Sequence, residues 1–148
     1  QAIDIVAKLD EIARGANTVI DELDEPRVRL AIIIGNRSRA VQLARDYLRK
    51  RPSGKARALL GVAYLNRGGQ DSMDKALDNF ETALENPGYG DRVPEAIYYY
   101  GMLQIWRGDS VAGESQLLQF LRAAESHERA RRPYLRGMID QAKVQLGR

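Results

Sequence analysis

Apolar residues recur every three or four positions along almost the whole chain. Ile3, Val6, Leu9, Ile12, Ala13 and Ala16 form one stripe. Ala40, Leu43, Ala44, Tyr47 and Leu48 form a second, and Ala76, Leu77, Phe80, Ala83 and Leu84 a third. This is the spacing of residues on one face of an α-helix. No stretch alternates with period two for long enough to specify a strand. Chain breakers interrupt the pattern at Gly15, Gly35-Asn36, Pro52-Ser53-Gly54, Gly68-Gly69, Asn86-Pro87-Gly88, Gly108-Asp109 and Arg132-Pro133. The segments between them, about 12–18 residues each, suit helices of ordinary length. The pattern predicts an all-α fold of successive helices joined by short turns.

The stripes also repeat at longer range. Ala40, Ala76 and Gly113 stand 36 and 37 residues apart, as do Leu48, Leu84 and Leu121. Self-similarity at this period marks helix-pair units, each burying its apolar face only against its neighbours. The clearest unit reads Leu60-Gly61-Val62-Ala63-Tyr64, then Gly68, then Ala76, Phe80 and Ala83-Leu84, and closes at Pro87. Small residues at 61, 76 and 83 let two helices approach closely, Tyr64 and Phe80 fill the space between pairs, and Pro87 stops the second helix.

These residues resemble the tetratricopeptide repeat family. The preceding unit is similar, with Gly35, Ala40, Ala44, Tyr47-Leu48 and Pro52. The following one has Ile97, Tyr100-Gly101, Gly108-Asp109, Gly113, Leu117 and Phe120-Leu121. About three extra residues, Gly69 to Asp71, lengthen the turn of the best unit and lean toward the related Sel1-like repeats. The resemblance covers roughly residues 22–125. It implies a right-handed superhelix, or solenoid, of about three helix-turn-helix repeats in a single domain of 148 residues. A helical segment at 1–20 precedes repeats at 21–53, 54–90 and 91–127, and a capping helix follows at 131–147, with Pro133 in its first turn.

Composition narrows the chemistry. The chain has no cysteine, which removes disulfides, thiolate metal sites and a cysteine nucleophile, and it has a single histidine, His127. His127 lies in the polar stretch Glu125 to Arg129 and reads as a surface residue. The carboxylate pairs Asp21/Glu25, Asp74/Asp78 and Glu81/Glu85, each one turn apart, read as solvated helix faces. No phosphate-binding glycine loop, nucleophile elbow or metal-ligand spacing appears. No catalytic residue, metal or cofactor is therefore expected. The longest apolar run, Leu30 to Ile34, is far shorter than the ~20 residues of a membrane-spanning helix, so no membrane insertion is expected. The chain starts at Gln1 rather than Met, which reads as a fragment or a processed product, and the compartment stays unassigned.

Charge is distributed in blocks. Residues 1–25 carry −5, residues 26–57 carry ten basic groups against one acidic for +9, residues 58–95 carry −4 and residues 96–148 carry +3. Alternating blocks set the order of packed elements or the face offered to a charged partner, and a second copy of the chain is one such partner. The basic stretch Arg37 to Arg57 lacks the interleaved aromatic residues of a nucleic-acid face. Tyr47 is the exception, and it occupies a repeat core position.

The richest surface signal lies at 97–106. On a helix, Tyr98, Met102, Ile105 and Trp106 follow i, i+4, i+7, i+8 and form a stripe apart from Ile97, Tyr100, Gly101 and Gln104, which take packing positions. In the resembled family that stripe lines a concave groove holding a partner's peptide. Its counterparts are Lys55, Ala58, Val62, Leu65 and Asn66 in the preceding unit, and Glu25, Arg29, Ile32 and Ile33 in the first. The competing account is that another helix of the chain covers these residues. The expected partner-binding residues are Arg29, Ile33, Lys55, Val62, Asn66, Tyr98, Met102 and Trp106. Arg29 and Lys55 supply positive charge at one end, so the expected partner segment combines apolar anchors with acidic residues. The function implied is a protein–protein scaffold or adaptor without catalysis. The alternatives are a self-associating assembly module and a nucleic-acid-binding helical repeat.

Overall fold

A computed structural model describes residues 7–8, 23–85, 94–126 and 133–147. The expected segment at 1–20, the turn around Pro87 and His127 fall largely or wholly outside the described residues. Among the described residues there are seven helices and no strand. They are α1 (Asp24–Ile33), α2 (Arg37–Lys50), α3 (Gly54–Arg67), α4 (Gln70–Leu84), α5 (Pro94–Trp106), α6 (Ser110–Ser126) and α7 (Pro133–Gln145).

The helix ends follow local chemistry. The Ser53 hydroxyl accepts a hydrogen bond from the Ala56 amide at 3.0 Å and starts α3, and the Asp109 carboxylate does the same for the Ala112 amide at the start of α6. Helices α1 and α5 end alike. Gly35 and Gly108 adopt positive φ, and the amide of the following residue reaches back to a carbonyl five positions earlier, Asn36 to Ala31 and Asp109 to Gln104. This pattern satisfies carbonyls left free at a helix end. The extra residues Gly69 to Asp71 do not lengthen a loop as expected. Gly68 and Gly69, both at positive φ, make the turn, and α4 starts at Gln70, six residues before Ala76. Helices α2 and α6 start three residues before Ala40 and Gly113. The insertion is absorbed as most of one added helical turn.

Each helix packs against the next, most extensively α3 on α4 and α5 on α6. The odd-numbered helices also touch one another, α1 with α3, α3 with α5 and α5 with α7. The core is divided in two. One part runs from Val28 through the inner faces of α2, α3 and α4 to Ala96 and Leu103. The other joins Ile97 to Leu117, Phe120, Leu121, Leu135 and Ala142. Helix α5 is the wall between them and gives side chains to both.

The close helix pairs rest on residues without bulk. A Cβ on Gly61 would lie 2.5 Å from the ring of Phe80, a fully buried side chain. At the α5–α6 crossing, a Cβ on Gly101 would lie 2.9 Å from the Gly113 carbonyl oxygen. One on Gly113 would meet the Gly101 carbonyl oxygen at 2.6 Å and the Ile105 side chain. The α5–α6 contact is backbone against backbone, which no side chain movement relieves. Adding methyl groups to a filled core typically costs about 1–3 kcal/mol. Gly61→Ala and Gly113→Ala are therefore each expected to destabilise by about that amount, despite the helix propensity gained. Phe80→Leu should recover part of the loss in the Gly61→Ala background and nothing in the Gly113→Ala background, as measured by denaturant unfolding.

Candidate functional site

Between α3 and α5 an open pocket of about 370 Å³ is cut into the surface. From α5 it is lined by Tyr98, Tyr99, Met102, Leu103 and Trp106, and from α3 by Val62, Leu65, Asn66 and the Gly68 that follows. Ile32 of α1 and Met73 of α4 complete it. The lining is apolar apart from the Asn66 amide and the tyrosine hydroxyls. The size and character are those of a ligand-binding cleft.

Its aromatic wall is packed ring on ring. Tyr98 meets Tyr99 edge to face and Phe120 at a tilt, with both centroid separations 5.3 Å, in the range aromatic pairs favour. Burial raises the Tyr98 hydroxyl above its ordinary pKa. For Tyr99 burial does the same, reinforced by the Glu95 carboxylate and by Tyr98. Both hydroxyls stay protonated and can donate hydrogen bonds at neutral pH. Trp106, in contrast, is 67% exposed at the rim. So large an exposed ring adds little to folding.

Five of the eight expected residues, Val62, Asn66, Tyr98, Met102 and Trp106, line the pocket together. The other three do not. Ile33 is 78% exposed and its neighbour Ile32 takes the place at the wall. Arg29 and Lys55 are occupied elsewhere. Arg29 donates to Glu95 at 2.6 Å and to Glu25 at 3.0 Å, and Lys55 pairs with the other oxygen of Glu25. Glu25 is thus a half-buried network member and not a solvated-face residue. Two cations meet two carboxylates, so the Arg29 and Lys55 charges expected to face an acidic partner are paired within the chain. Asp74, read as half of a solvated pair, is exposed and pairs at the surface with Arg107.

The network lies in the first two turns of α1, α3 and α5, and the pocket lining lies further along each helix, at Ile32 on α1, from Val62 to Asn66 on α3 and from Tyr98 to Trp106 on α5. The three helices therefore run in the same direction, with one polar end and one apolar end. Met73, Tyr99 and Leu103 escaped the sequence pattern. Tyr99 and Leu103 stand one position beyond Tyr98 and Met102 on the helix, and Met73 stands on α4 three residues before Ala76, just past the residues that the insertion adds. Among the described residues no helix is long and apolar enough to cross a membrane, and no group of three His, Asp or Glu side chains is placed to hold a metal ion.

Two stability predictions arise from the network. Glu95 has a side chain only 6% exposed, so Arg29→Met would strand a buried carboxylate. Breaking such a pair costs about 3 kcal/mol or more, and chemical denaturation is expected to show that loss. Burial by itself pushes the Glu25 carboxyl up, but hydrogen bonds from Lys55 and Arg29 outweigh it and hold the pKa below the ordinary value. A lowered carboxyl pKa contributes stability that is present above the unfolded value near ~4.3 and is lost as pH falls through the lower folded value. The melting temperature should drop between pH 6 and pH 3, and in Lys55→Met that drop should be smaller.

No protein-family model matches the chain, and no curated protein matches it.

Proposed function

We propose that the chain is a tetratricopeptide-like helical-repeat module that recognises another protein, holding a short apolar segment of it in the α3–α5 groove. The observation that carries this reading is the pocket itself. It is apolar, open, walled by a cluster of packed aromatic rings and rimmed by a tryptophan exposed at 67%. Aromatic and methionine side chains gathered in one concavity are the usual anchors of protein interfaces.

The contacts among α1, α3, α5 and α7 support a stacked solenoid in which odd-numbered helices form the inner layer. In such a layer the apolar end of the groove takes bulky hydrophobic residues of the partner. Asn66 and the tyrosine hydroxyls fix the partner's backbone by hydrogen bonds. Recognition is the work proposed for this site, with no chemical step.

Trp106 is the sole tryptophan, so its fluorescence reports directly on the groove. Peptides selected from a random 12-residue display library on the immobilised chain should shift its emission to the blue when they bind. Truncating an interface anchor commonly costs ~2 kcal/mol, roughly a thirtyfold loss of affinity. Met102→Ala combined with Trp106→Ala should weaken the selected peptides by at least that factor in fluorescence anisotropy. The circular dichroism spectrum should be retained and melting should change little. Peptides that bind the double variant unchanged, or a variant that unfolds, would rule out a binding groove at this place.

A further inference from the structure

A second concavity of about 470 Å³ lies along α2 and shares no lining residue with the α3–α5 pocket. Ser38, Gln42, Arg45, Asp46 and Arg49 of α2 line it, and Arg67 at the end of α3 closes it. Three guanidiniums face one carboxylate. Arg67 is fixed, since its Nε donates to the Ser72 hydroxyl at 2.8 Å and its guanidinium lies 5.0 Å from the Tyr64 ring centre. Arg49 is partly engaged by Asp46 at 3.4 Å, and Arg45 is exposed and makes no ion pair among the described residues. Residues 37–51, spanning α2 and Arg51, carry six basic groups and one acidic, a net +5. A basic trough of this kind takes carboxylates, which arginine binds through two parallel hydrogen bonds.

The chain itself carries the matching surface. Helix α4 with Glu85 holds five acidic groups and one basic, a net −4. Asp71 pairs with Lys75 and Asp74 with Arg107, but Asp78, Glu81 and Glu85 are exposed and have no ion pair among the described residues. Glu81 and Glu85 stand four residues apart, as do Arg45 and Arg49. On a helix rising 1.5 Å per residue both pairs therefore span about 6 Å.

We infer that two copies of this chain associate with the α2 trough of each against the acidic row of α4 of the other. The contact is reciprocal. A two-fold axis makes it twice, so the pair closes without leaving an unmatched basic and acidic face to add further copies. It lies away from the α3–α5 groove and does not rest on the peptide-binding reading. Its strength is mainly electrostatic, so it forms at low ionic strength and fades as the screening length falls from ~30 Å at 0.01 M salt to ~3 Å at 1 M.

Sedimentation velocity with the full chain tests this. At about 0.01 M salt and high micromolar concentration the chain should sediment as a species of twice 16.6 kDa, returning to the monomer in 1 M salt. Arg45→Glu with Arg49→Glu, and separately Glu81→Arg with Glu85→Arg, should each be monomeric at low salt. Mixed one to one, they should recover the dimer, because each reversed face then meets its complement. The exposed positions make folding of both variants checkable by circular dichroism; if one fails to fold, loss of the dimer in the other with its fold intact still supports the pairing. Met102→Ala with Trp106→Ala should leave the dimer unchanged. A chain that stays monomeric at low salt, a dimer that both charge reversals leave intact, or a mixture of folded variants that stays monomeric would overturn the inference. Binding of polyglutamate or single-stranded RNA to a chain that does not self-associate would overturn it in favour of a different partner for the trough.

Discussion

The absence of side chains at Gly61, Gly101 and Gly113 is the constraint on which the arrangement depends. It lets α3 lie against Phe80 and lets the backbones of α5 and α6 touch at each other's carbonyl groups. Helices that approach this closely bury most of their inner surface in pairs, with Phe80, Leu103, Leu117 and Phe120 filling what remains. Each pair then presents its odd-numbered helix toward the odd-numbered helix of the next. The α3–α5 pocket exists because those helices are held from behind by their partners and meet one another less fully. A bulkier pair contact would push α5 away from α6 and alter the position of Tyr98, whose ring leans on Phe120.

Helix α5 carries the most diverse duties. Ala96 and Leu103 serve one part of the core and Ile97 the other, while Tyr98, Met102 and Trp106 look onto the groove. Glu95 in its first turn accepts the bond from Arg29 on α1. Glu95 also profits from the positive end of its own helix. A chain segment apolar on nearly all sides is what such a position demands. The ion network at the start of α1, α3 and α5 and the apolar lining that begins one turn later divide the labour, since the charges fix the spacing of three parallel helices while the stretch from Tyr98 to Trp106 is left open.

Much of this was legible because helical periodicity is a strong local signal. The stripes through Ala40, Ala76 and Leu84, and the breakers at Gly35, Pro52, Gly68 and Gly108, mark helices and turns without reference to anything distant. The small residues at 61, 76 and 83 signal a close pair for the same reason. What lay beyond reach was long-range. Whether Arg29 points at a partner or at Glu95 depends on a residue 66 positions away, and nothing in the local pattern distinguishes the two. The Gly69 to Asp71 insertion looked like loop because glycine usually marks one, yet from Gln70 onward the residues are compatible with helix and extend α4. Met73 stands three residues before Ala76, where α2 and α6 have their first residues, so it reaches the pocket independently of the added turn. Ile33 against Ile32 shows a further limit, as one position on a helix is 100° of rotation, the difference between wall and solvent.

The charges on α2 and α4 call for a reason other than folding. Arg45 and Arg49, like Glu81 and Glu85, are like-charged neighbours one turn apart, an arrangement that destabilises a helix by roughly 0.2–0.5 kcal/mol per pair. Interleaving the signs along each helix would turn those repulsions into attractions of similar size and would leave the core untouched, because these side chains point away from it. Stability alone therefore favours mixed faces, whereas the chain keeps one helix basic and the other acidic. Segregation is unfavourable within a single copy and becomes favourable only when a surface of opposite sign is brought against it. Since the chain holds both surfaces in comparable charge, +5 on one segment and −4 on the other, the repulsion within each helix is relieved most completely by a second copy turned about a two-fold axis.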